Sequence, residues 1–320
     1  MRRFMLIALS LAFPARAIPQ GSPASSPASG STLPTYTPNR VYDTRHKRFI
    51  DFEGLVARLA AADLVFVGEQ HDDPATHRME LAILEGIARR RDSVALSLEM
   101  FERDVQPLLD RYLAGQVPED SLLAQGRPWK NYGTDYRPLV ELARARGWPV
   151  VASNVPRPLA ALVSRAGLAG LDTLPPGSRV QAAERLECPE DSYHERFVNA
   201  MGDLSSHGPA GSGPAEDPKA RIARMYQAQC VKDETMGESV AAMSGSGRLI
   251  VHYNGAFHTD FRLGTAERAR RRLPGAERIV VTAVPVPDLD RVSPSKEDRK
   301  RADYLLYVLA PAKPDSGTRR

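Results

Sequence analysis

Two short segments set an imidazole three residues after a glycine: Gly68-Glu69-Gln70-His71 and Gly255-Ala256-Phe257-His258. Joined by Glu69, Glu99 and Arg157, they offer two imidazoles, two carboxylates and a guanidinium. Such a set can work as a base with an orienting acid, with Glu69, His71, Glu99 and His258 as catalytic candidates. It can also hold a divalent transition metal, with His71, Glu99 and His258 as ligands. Each glycine is expected to let the chain turn sharply and send the imidazole back into a crevice. Every one of these residues also has a plainer role. His71, beside Asp72 and Asp73, could cap a helix, Glu69 and Glu99 could pair with Arg157, and His252 could be a core histidine. Other chemistries lack their signatures. GxxxxGK[ST], GxGxxG, HExxH and GxSxG do not occur, and His194-Glu195-Arg196-Phe197-Val198 lacks the second histidine of a zincin helix.

To converge, these residues need strands that end together. Apolar, β-branched runs at 64–68, 94–98, 149–153, 249–253, 279–284 and 304–309 are short enough for strands and too apolar to alternate, which suits a sheet buried on both faces. Helical patterns separate them: one from Asp73-Pro74 to 91, others at 104–114 and 138–146, and one starting near Arg157. The alternation predicts an α/β fold, a mainly parallel sheet flanked by helices. From about 159 to 247 the strand signal stops, predicting an α-helical insertion before the fourth strand, with helices at 191–201 and 217–242 around a Gly/Ser/Pro loop. In open parallel sheets the ligand crevice lies beyond the carboxyl ends of the strands. Glu69 and His71, Glu99, Arg157 and His258 follow the first, second, third and fourth strands respectively.

The chain of 320 residues is 42% hydrophobic and 26% charged, neither disordered overall nor a disulfide scaffold, and has no transmembrane helix by composition. Residues 1–17 read as a signal peptide, with Arg2 and Arg3 before an apolar run and Ala15-Arg16-Ala17 as the cleavage site. Residues 18–40 read as a Pro/Ser-rich linker, 41–310 as the folded body and 311–320 as a disordered tail. The expectation is therefore an exported protein, periplasmic or associated with the outer envelope. No Cys follows the apolar run, so a lipoprotein is not expected. Loss of Arg2, Arg3 and Arg16 takes the net charge from +4 to +1, and the tail holds a further +2, so the basic balance does not point to nucleic acid. Cys188 and Cys230 fit no metal spacing; after export they form a disulfide or remain two buried thiols.

The segments FVGEQHDDPATHRMELAILEGI, LSLEMFERDVQPLLDRYL, WKNYGTDYRPLVELARARGWPVVASNVPR, YQAQCVKDETMGESVA and HYNGAFHTDF, in that order, resemble the ChaN family of bacterial haem-binding proteins over about 41–284. That family belongs to a superfamily with the Tiki, TraB and erythromycin-esterase proteins. The resemblance implies an exported α/β protein with a helical insertion, tied to haem or iron uptake, with haem as cofactor. It leaves room for a homodimer or an envelope partner. Tiki-like members are metal-dependent proteases recognised by two GxxH motifs and a glutamate, which map onto Gly68 to His71, Gly255 to His258 and Glu99. The corresponding alternative is a hydrolase. A haem site needs an axial ligand in an apolar, aromatic-lined pocket. The insertion offers Tyr193, His194, Met225 and Tyr226 as candidates, with Arg157 at the rim. Trp129, Tyr132 and Tyr136 could line the crevice, or simply pack beneath a loop.

Overall fold

The computed structural model describes residues 36–205, 217–245 and 247–311. The expected signal peptide, most of the linker and residues 312–320 lie outside the described residues. The element order is β1 (Asn39–Asp43), β2 (Arg48–Ile50), α1 (Phe52–Ala61), β3 (Leu64–Glu69), α2 (Pro74–Ala88), β4 (Val94–Glu102), α3 (Gln106–Leu113), α4 (Glu119–Gln125), α5 (Arg137–Ala145) and β5 (Val150–Asn154). It continues through α6 (Arg157–Ala166), α7 (Pro176–Arg179), α8 (Ser192–Ser205), α9 (Pro218–Ala242), β6 (Leu249–Gly255), α10 (Gly264–Arg272), β7 (Arg278–Val286), α11 (Asp298–Arg301) and β8 (Tyr304–Leu309). The first strand begins at Asn39, two residues inside the stretch expected to be linker.

One eight-stranded sheet runs β2-β1-β8-β7-β3-β6-β4-β5. The six strands legible in the sequence pair in parallel, and the β1–β2 hairpin adds antiparallel strands beside β8. The buried runs explain the layering. Val65, Val67, Leu96 and Leu98 face one apolar core, while Leu64, Phe66, Ala95 and Ile250 face another with Val240 of α9 and Ala266 and Ala269 of α10. A strand apolar on both faces needs cover on both, and the helices supply it.

Helices α6 to α9 form the expected insertion between β5 and β6. Among the described residues no helix is long and apolar enough to cross a membrane. Cys188 is joined to Cys230 of α9 by a disulfide, the first of the two alternatives left open by the sequence. At the β5 edge of the sheet, Gln106 of α3 donates from Nε2 to the Val150 carbonyl (2.8 Å) and its Oε1 accepts from the Ala152 amide (2.7 Å).

The register positions the site. Glu69 is level with Gly255 and Gly68 with Asn254, while Leu98 is level with Tyr253, so Glu99 is carried up beside Gly255. Glu69, Glu99 and the segment 255–258 therefore leave the same end of three neighbouring strands, the end where ligands collect in open parallel sheets.

Candidate functional site

Glu69 is buried at the end of β3, and its Oε1 lies 2.6 Å from His71 Nδ1 and accepts from the Tyr136 hydroxyl at 2.7 Å. With Nδ1 held, His71 turns the other side of its ring toward Gly255: a Cβ on Gly255 would come within 2.7 Å of His71 Cε1 and Nε2. Trp129 packs edge-on against the ring, with centroids 4.7 Å apart. Burial lowers the His71 proton affinity, but Glu69 and Glu99 outweigh it and the pKa is raised.

On β4, separated from β3 by β6, Glu99 Oε2 accepts from the Gly255 amide (2.8 Å) and Oε1 lies 3.4 Å from His258 Nε2. His258 Nδ1 lies 2.8 Å from Asp233 Oδ1 of α9. Asp233 also accepts from the hydroxyls of Tyr193 (2.7 Å) and Thr265 (2.9 Å). Burial opposes charge on both members of the pair. The two carboxylates nevertheless raise the His258 pKa to about 10, and the two imidazoles with the Gly255 amide hold the Glu99 carboxyl well below the usual range.

The glycines act differently from the expectation. Neither has a left-handed backbone; Gly255 has φ −57°. What they supply is room. A Cβ on Gly68 would lie 2.9 Å from the Ala256 Cα, and one on Gly255 would strike His71.

An open cavity of about 520 Å³ lies over these residues, lined by Glu69, His71, Gly255 and His258 together with Phe197 and Met201 of α8 and Phe257. Gln229 and Arg301 add polar groups at its wall. The size and the mixture of apolar wall with few polar groups suit a small-molecule site.

All four catalytic candidates, Glu69, His71, Glu99 and His258, are thus brought together. The three expected metal ligands are not gathered as one set: His258 faces Glu99, whereas His71 faces Glu69. Among the described residues, the ligand atoms that converge within 4.8 Å of one another belong to Glu69, His77 and Glu80.

The candidates in the insertion each have their own surroundings in the structure. The Tyr193 hydroxyl is spent on Asp233 and receives Gln229 Nε2 at 3.1 Å, and the Tyr226 hydroxyl donates to the Pro189 carbonyl at 2.6 Å. His194 stacks edge-on against Tyr226. Met225 lines a second cavity with Ala160, Ser164 and Lys232, which meets the first at Phe197, Met201 and Gln229. Arg157 is two-thirds exposed and pairs with Glu102 (3.2 Å), not with Glu69 or Glu99. His252 is a core histidine whose Nδ1 meets Ser97 Oγ, and burial pulls its pKa down to about 4. Of the aromatic loop, Trp129 and Tyr136 reach the site, while Tyr132 packs in the core against Phe101.

Asp233, Gln229, His77 and Glu80 were missed. Their only signal in the sequence is spacing: Gln229 and Asp233 at i,i+4 and His77 and Glu80 at i,i+3, each pair on one face of a helix.

Residues 55–269 match the family described as Haem-binding uptake, Tiki superfamily, ChaN. The chain is similar to a solved structure described as cofacial haem binding to ChaN of Campylobacter jejuni, at 16% identity and TM-score 0.62, covering 84% of this chain and 96% of that one. It also matches the type III effector HopBA1, at 11% identity and TM-score 0.41 over 80% of this chain and 92% of that one. A third match is RRSP, a MARTX toxin effector domain from Vibrio vulnificus, at 20% identity and TM-score 0.38 over 68% of this chain and 34% of that one. No curated protein matches.

Proposed function

The chain belongs to the haem-binding uptake family ChaN of the Tiki superfamily, and from that premise we propose that it binds haem in the cavity between the strand ends and α8, with His71 as the iron ligand. The observation that carries this is the His71 pair. Its Nδ1 is held by a buried carboxylate and its Nε2 lies beside Gly255, another residue of the cavity wall; a held Nδ1 is the arrangement by which proteins orient a metal-binding imidazole and raise its basicity. Phe197, Met201 and Phe257 supply an apolar wall for a flat macrocycle, and Gln229 and Arg301 supply polar contacts for propionates. Bound haem would supply an iron for His71 to hold and two carboxylates for Gln229 and Arg301 to meet. The protein's own part is to orient the imidazole and to cover the ring.

Titration of the purified protein with haemin tests this. A saturable Soret shift that is lost in His71→Ala and kept in Tyr226→Phe is expected, and the absence of any saturable shift in the unaltered protein would sink the reading.

We extend the proposal to export into the periplasm in the service of haem or iron uptake. The signal-like residues 1–17 and the Cys188–Cys230 disulfide support it. Cell fractionation checks it, since a chain retained in the cytoplasm with free thiols would exclude it.

The convergence of Glu69, His71, Glu99 and His258 favours a second reading, a hydrolase. His71 would act as general base, Glu69 as its orienting acid, and the Glu99–His258 pair as a charged wall. Turnover of an ester or peptide panel that disappears in His71→Ala is its expected sign. Turnover unchanged in that variant rejects it.

A further inference from the structure

Behind Glu69 lies a second group of side chains that neither reading uses. Asp73 accepts from the Ala75 amide and starts α2. Three residues apart on one face of that helix stand His77 and Glu80, both buried. His77 Nδ1 lies 3.0 Å from Glu80 Oε2 and 3.5 Å from Glu69 Oε2. His77 Nε2 is directed to the His71 carbonyl (3.3 Å), with Asp135 Oδ2 at 3.6 Å.

Two things remain unbalanced there. Glu69 Oε2 and Glu80 Oε1 are fully buried and have no hydrogen-bond partner. Among the described residues no Lys or Arg pairs with either carboxylate, and Asp135 adds to the negative field. Buried carboxylates without compensation are costly, and proteins meet the cost with a counter-charge, a proton or a metal ion.

We propose that Glu69, His77 and Glu80 form a buried site for a divalent transition metal ion, separate from the His71–Glu99–His258 rim. Their ligand atoms lie within 4.8 Å of one another. One imidazole and two carboxylates form a mixed nitrogen and oxygen set suited to ions such as Zn²⁺, Mn²⁺ or Fe²⁺. The outer contacts are in place for that role. Nε2 of His77 has the His71 carbonyl and Asp135 as acceptors, leaving Nδ1 for the ion, and Tyr136 holds the other oxygen of Glu69. Glu69 is the shared wall: Oε1 serves His71 and Oε2 faces His77. The competing occupant is a proton on Glu80.

The test uses haem-free full-length protein, with Co²⁺ and Zn²⁺ as probes. Equilibrium dialysis is expected to show about one equivalent bound, with Zn²⁺ raising the melting temperature by roughly 5 °C at saturation. Glu80→Gln, close to the natural shape, should weaken binding at least about 10-fold. Glu99→Gln should leave it in place. Less than about a tenth of an equivalent on the unaltered protein overturns the proposal in favour of the proton, whatever the variants do. Binding that survives Glu80→Gln but disappears with Glu99→Gln overturns it too, by moving the ion to the rim.

Discussion

Gly68-x-x-His71 and Gly255-x-x-His258 put the same residues at the same spacing behind neighbouring parallel strands, yet the two histidines meet opposite surroundings. The His71 side chain is 45% exposed and has one carboxylate partner; that of His258 is 7% exposed and stands between two, Asp233 and Glu99. The strands do not make this difference, since Glu69 and Gly255 are level. The insertion makes it. Helix α9 brings Asp233 over the β6 limb, whereas the β3 limb meets the aromatic loop at the His71 ring and His77 of α2 at the His71 carbonyl. One local device therefore yields an accessible ligand in one place and a structural ion pair in the other, according to what the rest of the chain lays on top.

The largest effect expected from breaking the contrast is on folding. Asp233→Ala strips His258, Tyr193 and Thr265 of a shared acceptor and breaks the shorter of the two buried ion pairs of His258, which should cost about 3–5 kcal/mol in urea denaturation. His71→Ala, at a half-exposed position and with Tyr136 still donating to Glu69, should cost less, about 1–2 kcal/mol. Equal losses would show that the two limbs are not different in kind.

Proton linkage sharpens the comparison next. A folded pKa of about 10 for His258 against 6.5 unfolded means that its contribution is complete below pH 6.5 and is lost as pH rises toward 10. For Glu99, whose pKa is lowered from 4.5, the contribution is present above pH 4.5 and lost as pH falls. Stability from this pair should therefore be greatest between those limits. The alkaline decline should flatten in His258→Gln and persist in His71→Gln, measured as urea midpoints against pH.

The smallest effect on stability, but a specific one on the ligand, belongs to Gly255→Ala. The new methyl meets the His71 ring, which can swing outward, so the fold should lose less than about 1 kcal/mol. Haemin affinity should fall, since the imidazole no longer rests where Glu69 directs it. Unchanged affinity would detach His71 from the cavity.

Much of this contrast was legible only in part. The six buried strands and the helices at Asp73-Pro74 and Asp217-Pro218 announce themselves by apolar runs and capping residues. The β1–β2 hairpin does not, because its strands are short, half-buried and interrupted by charge at Arg40 and Arg48. Strand order decides which residues become neighbours, and spacing along one chain cannot give it. The same holds for Asp233 and His258, 25 residues apart and joined only by tertiary packing. For Tyr193 and Tyr226 a sequence shows a hydroxyl but not the acceptor it meets, Asp233 in one case and the Pro189 carbonyl in the other. Arg157 was placed at the right end of the sheet and matched with the wrong carboxylate, because Glu102 reaches it through an irregular register between β4 and β5.

Gln106 carries a consequence for how this protein behaves among copies of itself. A parallel sheet ends in an outer strand whose free amides and carbonyls can recruit a stranger's backbone. At the β5 edge a side-chain amide imitates that stranger, donating to Val150 and accepting from Ala152 as another strand would. Two of the groups through which the sheet could grow into a neighbouring molecule are thereby occupied from within the chain, and at the opposite edge the outer strand is three residues long, a short template for any other backbone.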